Sequence, residues 1–161
     1  MLILNSGGTF NKRYNESNGK MDVPIDNLAV NRILENYNTD LNIAGVIYKD
    51  SLDMNVDDRK MLTNIIMEST DDTFIVVHGT DTMHQTAEFF DEIFIDRKII
   101  LVGAMKPFEI DKVESSFNLG MAIAFANYTS TYGVYICMSG YISLWNKIQK
   151  NREIGKFQLV E

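Results

Sequence analysis

Short apolar runs alternate with amphipathic helical stretches along most of the 161-residue sequence, and this alternation limits the fold more than any other feature. The run at 74–77 has the length and the β-branched content of a strand that is buried on both faces of a sheet. Further strands are predicted at 2–5, 41–48, 99–102 and 134–138. Helical spacing of the apolar residues predicts helices at about 24–37, 56–66, 82–93 and 112–127.

Strands that alternate with helices over short connections indicate an α/β fold, because parallel neighbours need a crossover between them. We therefore predict a single three-layer αβα domain over 1–161, with a mainly parallel, Rossmann- or flavodoxin-like sheet. Pro24 is expected to be the first residue of its helix. Asn18-Gly19 predicts a hairpin within a 10–23 lid loop, and the alternating residues 141–145 predict a short β tail at the sheet edge.

The charge balance restricts the partners that the chain can bind. A net charge of −7 argues against nucleic acid and against an anionic membrane surface. The single cysteine, Cys137, lies in an apolar run and is predicted to be a buried thiol, which suits a reducing compartment. The sequence shows no signal-peptide pattern and no apolar run of about 18 residues, so we expect a cytoplasmic protein without a membrane span.

Three of the predicted strands end in small and polar residues of the same kinds. The segments are Gly-Gly-Thr at 7–9, Ser-Leu-Asp at 51–53 and Gly-Thr-Asp at 79–81. Because the carboxyl ends of parallel strands lie along one edge of a sheet, these groups are predicted to converge there. Hydroxyl groups, carboxylates and glycine amides together suit acyl transfer, in which a threonine attacks and backbone amides hold the developing oxyanion.

Other kinds of site are disfavoured. The sequence has no Gly-x-Ser-x-Gly elbow and no Walker A motif, and 6–9 lacks the third glycine of a dinucleotide fingerprint. The only histidines, His78 and His84, lack the spacing of metal ligands, so no metal is expected. His78 is interpreted as a structural histidine rather than a base. The plainer alternative for this turn is an ordinary helix start with Thr80 or Asp81 as N-cap.

Three motifs together resemble those of the L-asparaginase family. They are Gly-Gly-Thr at 7–9, His-Gly-Thr-Asp-Thr-Met at 78–83 and Gly-Ala-Met-Lys-Pro at 103–107. The second motif is the most specific, and the spacing between the last two also fits. The resemblance covers essentially the whole chain but only the N-terminal domain of the family, so the smaller C-terminal domain of the family is expected to be absent.

The resemblance implies a role for each residue that matches a family motif. Thr9 matches the nucleophilic threonine of the glycine loop, and Tyr14 matches the lid tyrosine that orients it. Thr80 matches the second threonine, and Asp81 matches the aspartate that holds the α-amino group of the substrate. Lys150 matches the lysine that activates Thr80 or its attacking water. The alternative for Lys150 is a solvated position in a basic tail.

The other implied contacts concern substrate binding and the oxyanion. Ser51 matches the serine that binds the α-carboxylate of the substrate. The amides of Gly8 and Thr80 are the expected oxyanion donors, with Gly79 beside them in the substrate-binding turn. The sequence departs from the family pattern at Leu52, where glutamine is usual, and this change removes one polar contact to the carboxylate.

The expected function is hydrolysis of L-asparagine to L-aspartate and ammonia through an acyl-enzyme on Thr9. Two alternatives stay open. One is an amidohydrolase that acts on another amide, such as glutamine or a larger asparaginyl substrate, and the other is a non-catalytic amino-acid-binding protein on the same fold. The hydrolysis needs no cofactor. Family members assemble, so a homodimer or homotetramer is expected.

Overall fold

A computed structural model describes residues 1–38 and 41–160 and contains ten strands and four α-helices within those ranges. The strands are β1 (Leu2–Gly7), β2 (Arg13–Asn15), β3 (Lys20–Asp22), β4 (Asn42–Lys49), β5 (Thr73–Val77), β6 (Lys98–Val102), β7 (Gly133–Met138), β8 (Tyr141–Leu144), β9 (Ile148–Asn151) and β10 (Lys156–Leu159). The helices are α1 (Leu28–Leu34), α2 (Val56–Glu68), α3 (Met83–Asp91) and α4 (Lys112–Tyr128). Short 3₁₀ turns lie at Thr9–Asn11, Ser51–Asp53 and Trp145–Lys147.

The main sheet has the strand order β4-β1-β5-β6-β7-β8. Its first five strands are parallel, and β8 pairs antiparallel with β7 at the edge. Strands β2–β3 and β9–β10 form two separate antiparallel hairpins. The predicted αβα fold, the N-terminal hairpin and the β tail are therefore confirmed. The strand order reverses at β1 and β5, and ligands of such sheets bind at the carboxyl ends of the strands beside this reversal.

Apolar side chains pack on both faces of the sheet. Leu4 and Val76 lie in a cluster covered by α2 and α3, whereas Ile3 and Val77 lie in a second cluster covered by α1 and α4. Cys137 belongs to the second cluster, and burial raises the pKa of its thiol to about 12. The prediction of a buried thiol is confirmed. Within the described ranges, no helix has both the length and the apolar character needed to cross a membrane.

The predicted start of the first helix at Pro24 is wrong, because α1 begins at Leu28. The intervening residues make tertiary contacts that a helix would break. Asp26 accepts a hydrogen bond from the Leu28 amide and forms an ion pair with Arg13 of β2. Asn27 accepts a hydrogen bond from the side chain of Asn5 at 2.9 Å. These contacts fix the chain before the helix begins.

Several apolar residues of the predicted helices lie outside the core. Phe117 of α4 is 55% exposed, and Val56 and Met61 of α2 are exposed as well. On α4 the buried positions are instead Ser115, Asn118, Leu119, Ala122, Ile123 and Ala126. Phe117 lies off this stripe, beside the turn between β7 and β8 at Gly140.

Candidate active site

The loops that follow β1, β4 and β5 pack against one another at one edge of the sheet. Gly8 has a φ of 75°, and a Cβ at this position would collide with the backbone of Gly79. A Cβ at Gly79 would lie 2.6 Å from the Cβ of Ser51. Only glycine permits both approaches, so the segments 7–9, 51–53 and 79–81 lie together because two of them contain glycine where the backbones meet.

A pair of buried asparagines fixes the glycine loop that carries Thr9. The side chains of Asn5 and Asn11 donate to each other, at 3.1 and 2.9 Å, and Asn11 also donates to the Gly7 carbonyl at 2.7 Å. Phe10 is fully buried, whereas Thr9 is only partly buried. The loop is therefore anchored on both sides of a threonine that remains accessible.

Lys150 forms hydrogen bonds with both Thr80 and Asp81 in the turn that follows β5. Its Nζ donates to Thr80 Oγ1 at 2.9 Å and to Asp81 Oδ1 at 2.9 Å. The Lys150 side chain is only 12% exposed, so the alternative of a solvated position in a basic tail is wrong. Because Lys150 donates to Thr80 Oγ1, the hydroxyl hydrogen of Thr80 is free to point elsewhere, for example toward a water or a substrate.

The β9–β10 hairpin brings Lys150 to this position. Ile148 and Phe157 are buried in the core cluster beneath α2 and α3, and Phe157 lies opposite Lys150 in the hairpin register. His84 of α3 donates from Nε2 to the Ile148 carbonyl at 2.5 Å and stacks on the Phe157 ring at 6.1 Å. The hairpin is thus held to the sheet by apolar burial and by one side chain of α3.

Asp81 receives a second cation from the same hairpin. Arg152 Nη1 donates to Asp81 Oδ1 at 2.6 Å. Burial acts to raise the pKa of Asp81, but hydrogen bonds from Lys150 and Arg152 outweigh it and hold the pKa below its ordinary value. Sequence reasoning missed this contact of Arg152. Arg152 lies in the turn between β9 and β10, and no local sequence pattern places its side chain beside Asp81.

Ser51 supports the β5 turn from the neighbouring loop. Its Oγ accepts a hydrogen bond from the Asp81 amide at 3.2 Å, and its carbonyl accepts one from Thr82 Oγ1 at 2.8 Å. Helix α3 begins at Met83 with Thr82 in the N-cap position. The alternative that Thr80 or Asp81 caps the helix is therefore wrong, and their side chains face Lys150 instead.

His78 sits behind the turn in a buried chain of hydrogen bonds. Its Nδ1 lies 2.7 Å from the Gly79 carbonyl, so Nδ1 donates and Nε2 accepts from Thr86 Oγ1 at 2.9 Å. Arg59 Nε in turn donates to Thr86 Oγ1 at 3.1 Å. Burial lowers the pKa of His78 to about 4, and the nearby charge of Arg59 acts in the same direction. These contacts agree with a structural role and include two residues, Arg59 and Thr86, that the sequence did not single out.

A cavity of about 420 Å³ opens over the turn and is lined by Thr80, Asp81, Lys150 and Arg152, among others. Among the described residues, its lining includes neither Thr9 nor Tyr14. The Tyr14 side chain is 58% exposed on β2, and only its backbone amide is anchored, by Glu109 at 2.8 Å. The structure therefore brings Thr80, Asp81 and Lys150 together but leaves both Thr9 and Tyr14 outside the lining of this cavity. Over residues 1–38 and 41–160, no three His, Cys, Asp or Glu side chains are arranged to hold a metal ion.

Comparisons with known proteins identify one family. The family model described as "Asparaginase, N-terminal" matches residues 1–155. The glutaminase-asparaginase of Acinetobacter glutaminasificans is 25% identical over 168 residues, which covers 96% of this chain and 50% of that protein. L-asparaginase 2 of Escherichia coli is 36% identical over 107 residues, which covers 61% of this chain and 30% of that protein.

Solved structures share the fold. The thermostable L-asparaginase from Thermococcus kodakarensis superimposes with a TM-score of 0.84 at 21% identity, and the match covers 99% of this chain and 50% of that one. The probable cytoplasmic L-asparaginase from Campylobacter jejuni gives a TM-score of 0.78 at 22% identity. The chain thus spans at most about half the length of these relatives.

Proposed function

Because the chain belongs to the asparaginase family, through the N-terminal domain of that family, we propose that it hydrolyses L-asparagine to L-aspartate and ammonia. The position of Lys150 carries this proposal. This largely buried lysine donates a hydrogen bond to the hydroxyl of Thr80 and forms an ion pair with Asp81. The names of two relatives, glutaminase-asparaginase and L-asparaginase 2, support an amide substrate of this kind.

In the proposed mechanism, Thr9 Oγ attacks the side-chain amide carbon, and its proton passes to the leaving nitrogen. The C–N bond breaks, ammonia leaves and an ester to Thr9 remains. A water hydrogen-bonded to Thr80 then attacks this ester and releases aspartate. The amides of Gly8 and Thr80 hold the oxyanion in both steps.

The remaining residues bind and position the substrate in this proposal. Asp81 and the Gly79–Thr80 backbone hold the α-amino end of the substrate, and Ser51 holds its α-carboxylate. Lys150 polarises Thr80 through the observed 2.9 Å hydrogen bond. In this proposal the β2–β3 hairpin closes over the bound substrate and Tyr14 then orients Thr9, because the exposed ring of Tyr14 lies outside the cavity lining.

Ammonia release from millimolar L-asparagine tests the proposal directly. We expect turnover by the 161-residue chain, and we expect Thr9→Ala, Thr80→Val and Lys150→Met each to lower kcat by about 100-fold or more. Lys147→Met is the matched control, because it removes an exposed lysine three positions away. No ammonia from the parent protein would refute the activity, and an unchanged rate in Lys150→Met would refute its role.

A second candidate is hydrolysis of a different amide, such as glutamine or a larger asparaginyl substrate. The exposed Leu52 side chain favours it, because an apolar residue next to Ser51 offers no polar contact to an α-carboxylate. A panel of amides of increasing length separates the two candidates. A third candidate, a non-catalytic amino-acid-binding protein, would show stabilisation by aspartate without ammonia release.

We further propose that the chain acts without a cofactor as a cytoplasmic homodimer or homotetramer. The single buried cysteine supports a reducing compartment. Exposed apolar side chains on and next to α4 support self-association; they are Ile110, Val113 and Phe117.

A further inference from the structure

The carboxylate assigned to the α-amino group of the substrate is already engaged by two cations of the chain. Lys150 Nζ and Arg152 Nη1 both contact Asp81 Oδ1, at 2.9 and 2.6 Å. Lys150 also donates a hydrogen bond to Thr80, and the proposed function gives this lysine a role in catalysis. Arg152 makes no contact with Thr80 in the described residues; its guanidinium donates to the carboxylate and the carbonyl of Asp81.

These three charged side chains line one cavity and together carry a net charge of +1. A substrate ammonium group placed on Asp81 would lie close to the guanidinium of Arg152 and would be repelled by it. A substrate carboxylate would instead be attracted to the same guanidinium, whose planar fork suits carboxylates. The cavity is therefore electrostatically poor for a free α-amino group and good for an acid.

We propose that Arg152 is a specificity-determining residue that competes with the α-ammonium group for Asp81. The inference rests on the proposed function and names the substrate class: short ω-amides that carry a carboxylate but no free α-amino group. Succinamate, which is asparagine without its α-amino group, is the simplest member. Asparagine remains a substrate, but its ammonium group must displace the Arg152 guanidinium, which weakens binding.

The side chain of Arg152 is 65% exposed, which limits the size of the effect. Exposed ion pairs are weakened by water and by salt, so we expect a preference of several-fold rather than of orders of magnitude. The same exposure makes the residue safe to replace, because little buried surface depends on it.

Steady-state kinetics with L-asparagine and succinamate test the inference. In Arg152→Ser we expect kcat/KM for asparagine to rise about fivefold relative to kcat/KM for succinamate, chiefly through KM. Arg152→Lys should keep the parent ratio, because it keeps the charge. Lys156→Ser is the matched control, since it removes one exposed cation from the same hairpin without touching Asp81. The Arg152→Ser effect should shrink between 50 mM and 500 mM NaCl.

A binding experiment keeps the inference separate from the proposed function. The Kd values of L-aspartate and succinate, measured by calorimetry, report the cost of the α-ammonium group without any turnover. Loss of Arg152 weakens the binding of the carboxylates in both ligands, so only the ratio of the two Kd values reports on the α-ammonium group. We expect Arg152→Ser to lower the ratio of the aspartate Kd to the succinate Kd about fivefold.

Turnover tests the proposed function, whereas the ratio of the two Kd values tests the role of Arg152. A parent protein that releases no ammonia, yet shows the shifted binding ratio in Arg152→Ser, refutes the proposed function and supports the role of Arg152. An unchanged ratio in Arg152→Ser, or no binding of either ligand to either protein, overturns the inference.

Discussion

His78 links a buried cation to the backbone of the candidate active site. The chain of hydrogen bonds runs from Arg59 through Thr86 and His78 to the Gly79 carbonyl. Because the Gly79 carbonyl and the Thr80 amide belong to one planar peptide unit, orienting the carbonyl also orients the proposed oxyanion donor. A histidine that stays neutral near pH 7 is required, because Nε2 must accept from Thr86.

The low pKa of His78 predicts a pH dependence of stability. Burial places this pKa at about 4, below the ordinary value of 6.5, so the unfolded chain binds a proton between these values and the folded chain does not. The free energy of unfolding should therefore fall as the pH drops from 6.5 to 4, by an upper bound of about 3 kcal/mol. Urea unfolding at several pH values measures this change.

The variant His78→Asn separates the titration of His78 from that of the other ionisable side chains. The asparagine amide can still donate to the Gly79 carbonyl, but it does not titrate, so the slope between pH 6.5 and 4 should flatten. The lowered pKa values of Asp58 and Asp81 also reduce stability toward pH 4, but they are present in both proteins, so the difference between the parent and His78→Asn isolates His78. A parent protein of constant stability from pH 6.5 to 4 would contradict the prediction.

Among the secondary structure elements, the β9–β10 hairpin controls the site most directly. It is not part of the main sheet, and it is anchored by Ile148, Phe157 and the hydrogen bond from His84. Ile148 and Lys150 are alternate residues of β9 and lie on one face of the strand, so burial of Ile148 fixes where Lys150 lies. Arg152 follows in the turn between β9 and β10.

Loosening the hairpin should therefore affect turnover more than it affects folding. Phe157→Leu is expected to cost about 1 kcal/mol of unfolding free energy, because it shrinks a buried side chain and removes the stack on His84. We expect turnover to fall about tenfold and amide hydrogen exchange to rise across 148–159. Leu159→Ala, at an exposed position of the same strand, should change stability by less than about 0.5 kcal/mol and leave turnover unchanged. Equal loss of turnover in both variants would contradict the role of Phe157.

At the scale of the whole molecule, exposed apolar side chains gather at one end of α4. Val113 and Phe117 are both exposed and lie one helical turn apart, and the Phe117 ring lies beside Gly140 in the β7–β8 turn. Exposed apolar patches of a few hundred Å² or more are typical of interfaces, and we propose that these side chains form part of one.

The expected oligomer can be tested at this patch. Light scattering should give the mass of a dimer or a tetramer, and Phe117→Glu should lower that mass by placing a charge in an apolar contact. Ile95→Glu is the control, because Ile95 is also exposed but lies outside the patch. A monomeric parent protein would contradict the proposed assembly, and an unchanged mass in Phe117→Glu would contradict its location.

The sequence predicts the parallel strands well, because strands buried on both faces, such as β5, are continuous apolar runs. The N-cap of α2 is also a local feature, because Asn55 and Asp58 form a capping box within four residues. Local signals of this kind depend on neighbours in the chain. The convergence of the strand ends follows as well, since parallel topology alone brings them to one edge.

Long-range contacts of polar side chains could not be predicted in the same way. Arg152 and Asp81 are 71 positions apart, and they meet only because Phe157 is buried opposite Lys150. The start of α1 was missed for a similar reason, since Asp26 is held by the distant Arg13. Periodicity carries no information on such pairs, because the geometry of other elements determines them.

The late position of Lys150 in the chain has a consequence for biosynthesis. The loops at Gly8, Ser51 and Gly79 and the strands that carry them are all synthesised before the hairpin that supplies the lysine. A nascent chain can therefore assemble most of the sheet while Thr80 and Asp81 still lack their partner 70 positions further on. On the proposed mechanism, such a ribosome-bound intermediate would not hydrolyse amides, and ammonia release would begin only after β9 and β10 have left the ribosome and folded.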